Sequence, residues 1–230
     1  MKIRKLTLRI LFWILTVIFV IVLFIAAFAL LSFIQGKLFL PQDYILWTFN
    51  YPVSRLVFIF ELYFIFVFFR NSVSAFINFA KRNKKWFYPV FAFANLLLVY
   101  AVLFNVSVIT KNVIINHTFF LPQGQVYNYS DIVSIDTGVY TKKRYLPYTH
   151  SNGEFYYIIT LKDGTTINLN DSIGGTQNNQ DVYEVFEEID KTLVNMGIKK
   201  ISKIETFQDF DKHIDKIYAD RIRNVLENVK

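Results

Sequence analysis

Apolar and polar positions follow two regimes along this chain, and the change falls near residue 110. Before it, long uncharged apolar runs are separated by short basic segments; after it, apolar residues recur at strand and helix spacing. Ile10 to Ile34 carries no charge. At roughly 1.5 Å of rise per residue it is long enough to cross a hydrocarbon core of roughly 30 Å. Val53 to Phe69 and Trp86 to Val108 read as a second and a third crossing, so residues 1–109 are expected to form a three-helix transmembrane region with spans at about 10–34, 53–69 and 86–108. Gly36 to Pro52, with Tyr44, Trp47 and Tyr51, reads as an outer interfacial loop. Ala27-Phe28-Ala29 fits a small-x-small cleavage pattern, but the apolar stretch continues past it to Ile34, which argues for an uncleaved anchor.

The second regime predicts an α+β domain over 110–198. Ser107 to Leu121 is rich in β-branched residues, with Lys111-Asn112 and Asn116-His117 as turns; short strands follow around Val126, Val133 and Val139. Glu154 to Asn170 is a hairpin whose loop length sets its register. A two-residue Asp163-Gly164 turn would pair Thr160 with Ile167. A three-residue loop, Lys162-Asp163-Gly164 with Gly164 left-handed, pairs Ile159 with Ile167 and puts Phe155, Tyr157, Ile159, Leu161, Ile167 and Leu169 on one face. The second register is expected. Asp171 to Asn179 reads as a flexible connector. Val182, Val185, Phe186, Ile189, Leu193 and Met196 then make the stripe of a capping helix from about Asp181 to Met196, stopped at Gly197. Residues 199–230 are expected to end in an amphipathic helix from about Thr206 to Asn228 bearing Phe207, Phe210, Ile214, Ile217, Ile222, Val225 and Val229.

Charge adds direction to this picture. Residues 1–109 carry 11 basic and 2 acidic side chains, residues 110–230 carry 14 and 16, so the pI of about 9.4 reflects membrane flanks and gives little support for nucleic-acid binding. Lys2, Arg4, Lys5 and Arg9, and again Arg70, Lys81, Arg82, Lys84 and Lys85, form acid-free clusters of the kind retained in the cytoplasm. A multi-pass protein of the cell membrane is expected, with a cytoplasmic N-terminus and an extracellular C-terminal domain. The chain has no cysteine, which excludes disulfides and thiolate chemistry.

Candidate chemistry is sparse. Glu61 lies nine positions from Arg70, roughly 13 Å of helical rise, and a charge at mid-membrane costs at least about 2.5 kcal/mol. Asn95 would sit at matching depth on the third span, so a Glu61–Asn95 hydrogen bond is expected. Lys142, Lys143 and Arg144 form the one basic triplet after residue 110 and are candidate contacts for anionic lipid, each cation near such a surface being worth about 1 kcal/mol. His117, His150 and His213 are isolated, without paired metal-ligand spacing. A triad drawn from His150, Ser151 and Asp131 or Asp136 has no GxSxG elbow to support it. No catalytic residue, metal site or cofactor is predicted, and the chain is not expected to be an enzyme.

Two motifs carry a resemblance. YNYSDIVSIDTG, Tyr127 to Gly138, and GEFYYIITLKDGTTINL with the helix after it resemble the bacterial pleckstrin-homology-like domain of small membrane proteins, over roughly residues 107–197. The resemblance implies a bent seven-stranded sheet or barrel plugged by a helix, and it implies no reaction. The function expected is that of an integral membrane protein displaying a small binding or scaffolding module, with the lipid bilayer, protein partners or a second copy as contacts. The alternative is a subunit of an oligomeric transporter or channel using Glu61.

Overall fold

The protein is described from a computed structural model, which covers residues 2–50, 77–144, 150–210 and 215–229 together with Leu56 and Ile59. The chain divides into two compact units, one comprising Met1–Leu38 with Leu56–Val99, the other Phe39–Arg55 with Tyr100–Lys230.

The described part of the first unit is mainly helical. Helix α1 spans Lys2–Phe39 and helix α2 spans Lys84–Leu103. Among the described residues, α2 is the one helix long and apolar enough to cross a membrane, and 29–39 within α1 is a shorter apolar stretch. The expected three-helix transmembrane region is therefore not supported. The expected second span, 53–69, lies almost wholly outside the described residues. The other boundaries move for a physical reason. Gly36–Phe39 is still helix, Tyr44–Phe49 is a strand rather than an interfacial loop, and the β-branched Val106 and Val108, expected at the end of a span, belong to a sheet.

Among the described residues the second unit is an α+β fold with nine strands in two sheets, where one bent sheet of seven was expected. Strands β1 (Tyr44–Phe49), β2 (Val106–Thr110), β3 (Val113–His117), β4 (Gln125–Asn128) and β8 (Ile173–Thr176) form the first sheet in the order β4-β3-β2-β1-β8. Strands β5 (Ile132–Val139), β6 (Phe155–Leu161), β7 (Thr166–Asn168) and β9 (Lys200–Ser202) form the second in the order β7-β6-β5-β9, with β9 parallel to β5. The turn at Lys111-Asn112 is where the sequence puts it; Asn116-His117 is inside β3.

β1 is an interior strand, antiparallel to both neighbours, with Phe49 opposite Val106 and Trp47 opposite Gly175. Residues 50–105 are thus an insertion between two adjacent strands. Trp47 lies flat over Gly174, where an added Cβ would fall well inside van der Waals contact of the indole ring. Gly174→Ala is expected to cost about 1–3 kcal/mol through overpacking. The check is a lower unfolding midpoint accompanied by a shift in tryptophan emission; an unchanged midpoint would show that the ring yields freely.

The β6–β7 hairpin has the bulged register. Ile159 pairs with Ile167 and Thr160 with Thr166, Leu169 N–H donates to Tyr157 C=O at 2.8 Å, and Gly164 has φ +85°. The six residues expected on one face are all buried. Helix α3 (Val182–Asn195) covers them. Asp181 caps its start by accepting from the N–H groups of Tyr183 and Glu184. Gly197 at φ +78° ends it in a Schellman turn, with Ile198 N–H donating to Leu193 C=O. Val185, Phe186, Ile189 and Leu193 are buried as expected, while Met196 is exposed.

The C-terminal segment docks on its own unit. It is a 3-10 turn over Ile204–Asp209 and a helix α4 over Lys216–Glu227, not one continuous helix. Ile222, Val225 and Leu226 enter the core, whereas Ile217 and Val229, expected on the buried stripe, are exposed. The end of α4 is held by charge. Lys200 Nζ donates to Asp190 Oδ1 at 2.6 Å, to Asn228 C=O at 3.1 Å and to Val225 C=O, with both charged side chains about 1% exposed. Asn228 Nδ2 donates to Asp190 Oδ2 at 2.7 Å and Tyr157 O–H to Asp190 Oδ1 at 3.0 Å. A cation here meets the negative end of the helix dipole and satisfies carbonyls that have no partner within the helix.

Candidate functional site

A cluster of unlike polar groups in the second unit lines a cavity of about 280 Å³ where the end of β1 meets β6 and β7. Phe49, Ile158 and Ile167 give it apolar walls; Tyr140, Arg144, His150, Glu154 and Asp171 bring the titratable groups, and Asn50, Thr166 and Asn168 add neutral polar atoms.

Local folding places each of them. Tyr140 follows β5, and its backbone is locked to the start of β6 by Tyr140 N–H to Glu154 C=O at 2.9 Å and Gly153 N–H to Tyr140 C=O at 2.8 Å. Beyond it the strands separate and meet again at Arg144 N–H to His150 C=O, 3.0 Å. This returns His150 onto Tyr140, their rings stacked 3.7 Å apart at 15°. Glu154 Oε2 accepts from Ser151 N–H at 2.8 Å, and the Asp171 backbone carbonyl accepts from Thr48 Oγ1 at 2.9 Å, which ties that segment to β1. Asn50 is fixed by donating to Asn116 Oδ1 at 2.7 Å and to His117 C=O at 3.0 Å.

The field in the cavity is shaped by its acids. Burial pushes the Tyr140 phenol up to about 12, and the nearby Asp171 and Glu154 carboxylates push it the same way, so the ring stays neutral and able to donate. Arg144 stands at the exposed mouth as the opposing cation. His150 Nδ1 is buried with no hydrogen-bond partner among the described residues. A guanidinium, two carboxylates and a stacked aromatic pair over an apolar floor can hold a small group bearing both charge signs. The volume lies at the lower end of the range for ligand pockets, roughly 300–1,000 Å³.

Of the residues singled out from sequence, Arg144 lines this cavity, and Lys142 and Lys143 are exposed just before it in the β5–β6 connection. Glu61 lies outside the described residues. Asn95 Nδ2 donates to Phe91 C=O, one turn back on α2, at 2.7 Å. The triad does not assemble: Asp131 pairs with Lys162 at 2.9 Å and Asp136 faces Lys203 at 3.8 Å. No group of three or more His, Asp or Glu residues among the described ones is arranged to hold a metal ion. Tyr140, Glu154, Asp171 and Asn50 were missed as site residues. Only the loop-flanking position of Tyr140 and Glu154, either side of a polar connection, gave a signal. No family model, no curated protein and no solved structure matches this chain.

Proposed function

We propose that this protein is a membrane-attached, non-catalytic binding module whose cavity holds a small group of mixed charge, best matched by a zwitterionic phospholipid headgroup. The observation that carries the reading is the single cavity bringing Arg144, Glu154 and Asp171 together over Phe49, Ile158 and Ile167. Arg144, with Lys142 and Lys143 next to it in the chain, suits a phosphate, and the two carboxylates suit an amine. Position supports a lipid source. Asn50 N–H donates to Asn105 C=O at 3.0 Å, so one wall of the cavity lies where the chain has just emerged from α2.

The helix α2 supplies the membrane attachment in this reading. Lys84 and Lys85 open it, which supports a cytoplasmic start, an outward end and a second unit outside the cell. That β1 and β2 are sheet neighbours supports Tyr44–Phe49 and Val106–Thr110 lying on one side of the membrane. A pleckstrin-homology-like origin of the second unit belongs to the same proposal. It is supported by two mainly antiparallel sheets followed by α3, while the parallel β9 and the insertion after β1 depart from the expected pattern.

The test is thermal unfolding of the full chain in mild detergent with phosphatidylethanolamine, phosphatidylglycerol or phosphatidylcholine added. Selective binding at 100 times Kd would stabilise the fold by about 2.7 kcal/mol. A phosphatidylethanolamine-selective rise in midpoint is expected, lost in Arg144→Gln and in Thr166→Trp, whose exposed side chain at the cavity wall can fill it without touching the core. Equal midpoints with all three lipids would overturn the headgroup assignment.

A further inference from the structure

The connection between β3 and β4 presents an aromatic tip that no part of the core requires. Phe120 is 87% exposed and Leu121 39%. Such residues usually sit on pliable loops, but this one is rigidly built. Thr118 and Leu121 exchange backbone hydrogen bonds at 3.1 and 3.2 Å, Leu121 N–H also meets Thr118 Oγ1 at 3.2 Å, Gly124 N–H donates to Leu121 C=O at 3.0 Å, and His117 Nδ1 contacts Pro122 C=O at 2.9 Å. A hydrogen-bonded tip that holds apolar side chains outward has a preorganised contact surface, since little ordering entropy is left to lose on binding.

Its neighbours identify the occupant. Phe119 packs edge-on against Tyr100 at 5.2 Å, and Tyr100 lies against Phe104 at 4.7 Å, with Phe39 5.5 Å beyond. Tyr100 is in the last turn of α2, the helix with membrane-spanning length and composition. Aromatic residues gathered at the end of such a helix mark the headgroup level of a bilayer. We infer that the Phe119–Leu121 tip is seated in the interfacial layer of a phospholipid bilayer beside the outer end of α2, fixing the tilt of the second unit on the membrane. The inference rests on the membrane-attached reading above and adds a second contact to it. The opposite end of the same sheet supplies a built-in reference. The Lys111-Asn112 turn is separated from the tip by the length of β3, roughly 17 Å at 3.3 Å per residue, and carries a cation instead of an aromatic.

The absence of cysteine makes the test direct. Phe120→Cys, Lys111→Cys and Leu96→Cys, each at an exposed side chain, are spin-labelled in the full chain reconstituted in phosphatidylethanolamine–phosphatidylglycerol vesicles. Collision with oxygen, enriched in lipid, is compared with collision with a water-soluble nickel chelate. Oxygen is expected to dominate at 96 and 120 and the chelate at 111. A lipid signature at 96 with an aqueous one at 120 overturns the tip's insertion and leaves the membrane-attached reading standing. Aqueous signatures at both 96 and 120 overturn both.

Discussion

A fragment running from Phe104 to Lys230, which contains the whole of the domain that the sequence places at 110–198, is expected not to fold cooperatively. It lacks β1, which lies between β2 and β8 and contributes Leu46, Trp47, Thr48 and Phe49, all buried. Burying the three large apolar side chains is worth roughly 1.5–3 kcal/mol each, together roughly 5–9 kcal/mol. Domains are stable by only about 5–15 kcal/mol in total, so the missing strand removes most or all of the margin. Its absence also strips hydrogen-bond partners from both neighbouring strands. The remedy is equally specific. Phe49 faces Val106 and Asn50 N–H bonds to Asn105 C=O, so Asn50 can be joined to Asn105 by a turn of two to four residues, the length that connects adjacent antiparallel strands. The joined chain, residues 40–50 followed by 105–230, is expected to be soluble and to unfold in one transition, whereas the fragment gives poorly dispersed amide resonances and no transition. A fragment that folds alone would show that β1 is an accessory strand.

The same strand shows where the sequence was legible and where it was not. The β6–β7 register could be read in advance because only the bulged loop puts Phe155, Tyr157, Ile159, Leu161, Ile167 and Leu169 on one face, and Gly164 can take the positive φ which that loop needs. Helix α3 was legible for the same reason, with Asp181 and Gly197 marking its ends. β1 offered no such contrast. Its residues Leu46 to Phe49 are buried on both faces between two strands, and a largely apolar hexamer, YILWTF, next to a long apolar helix has the composition of a membrane interface. β8 and β9 failed differently. IGGT has almost no side chains to pattern, being shaped to admit the Trp47 ring, and KIS is defined by what it pairs with rather than by its own residues. The cavity was illegible because its walls come from segments more than a hundred residues apart, Phe49 and Asn50 on one side and Asp171 on another. Only Arg144 stood within a cluster that charge alone could flag.

Lys200→Met is expected to destabilise the second unit by about 3–5 kcal/mol, the cost of leaving one member of a buried ion pair without its partner. The pair is not a surface contact worth a few tenths. Both side chains are about 1% exposed, and the same ammonium closes the last carbonyls of α4 at Val225 and Asn228. Removing it leaves Asp190 with Tyr157 and Asn228 as donors but no countercharge. The first local consequence is release of α4, seen as faster amide exchange over 216–227 than over α3. Pairing the change with Asp190→Asn is expected to restore much of the loss, because the orphaned charge is then gone. A loss below about 1 kcal/mol would mean that the pair contributes no more than an exposed one. The pH dependence gives a second reading. Burial lowers the Lys200 pKa below the ordinary lysine value, with Asp190 pulling back in part, so over that window the unfolded chain binds the proton more tightly than the folded one. Stability contributed by this group therefore rises as pH climbs from the lowered value towards the ordinary one. Subtracting the methionine variant's stability from that of the unmodified protein cancels the buried tyrosines, which titrate in both, and the difference is expected to grow with alkalinity. A flat difference would place Lys200 in an environment as polar as water, against the geometry that surrounds it.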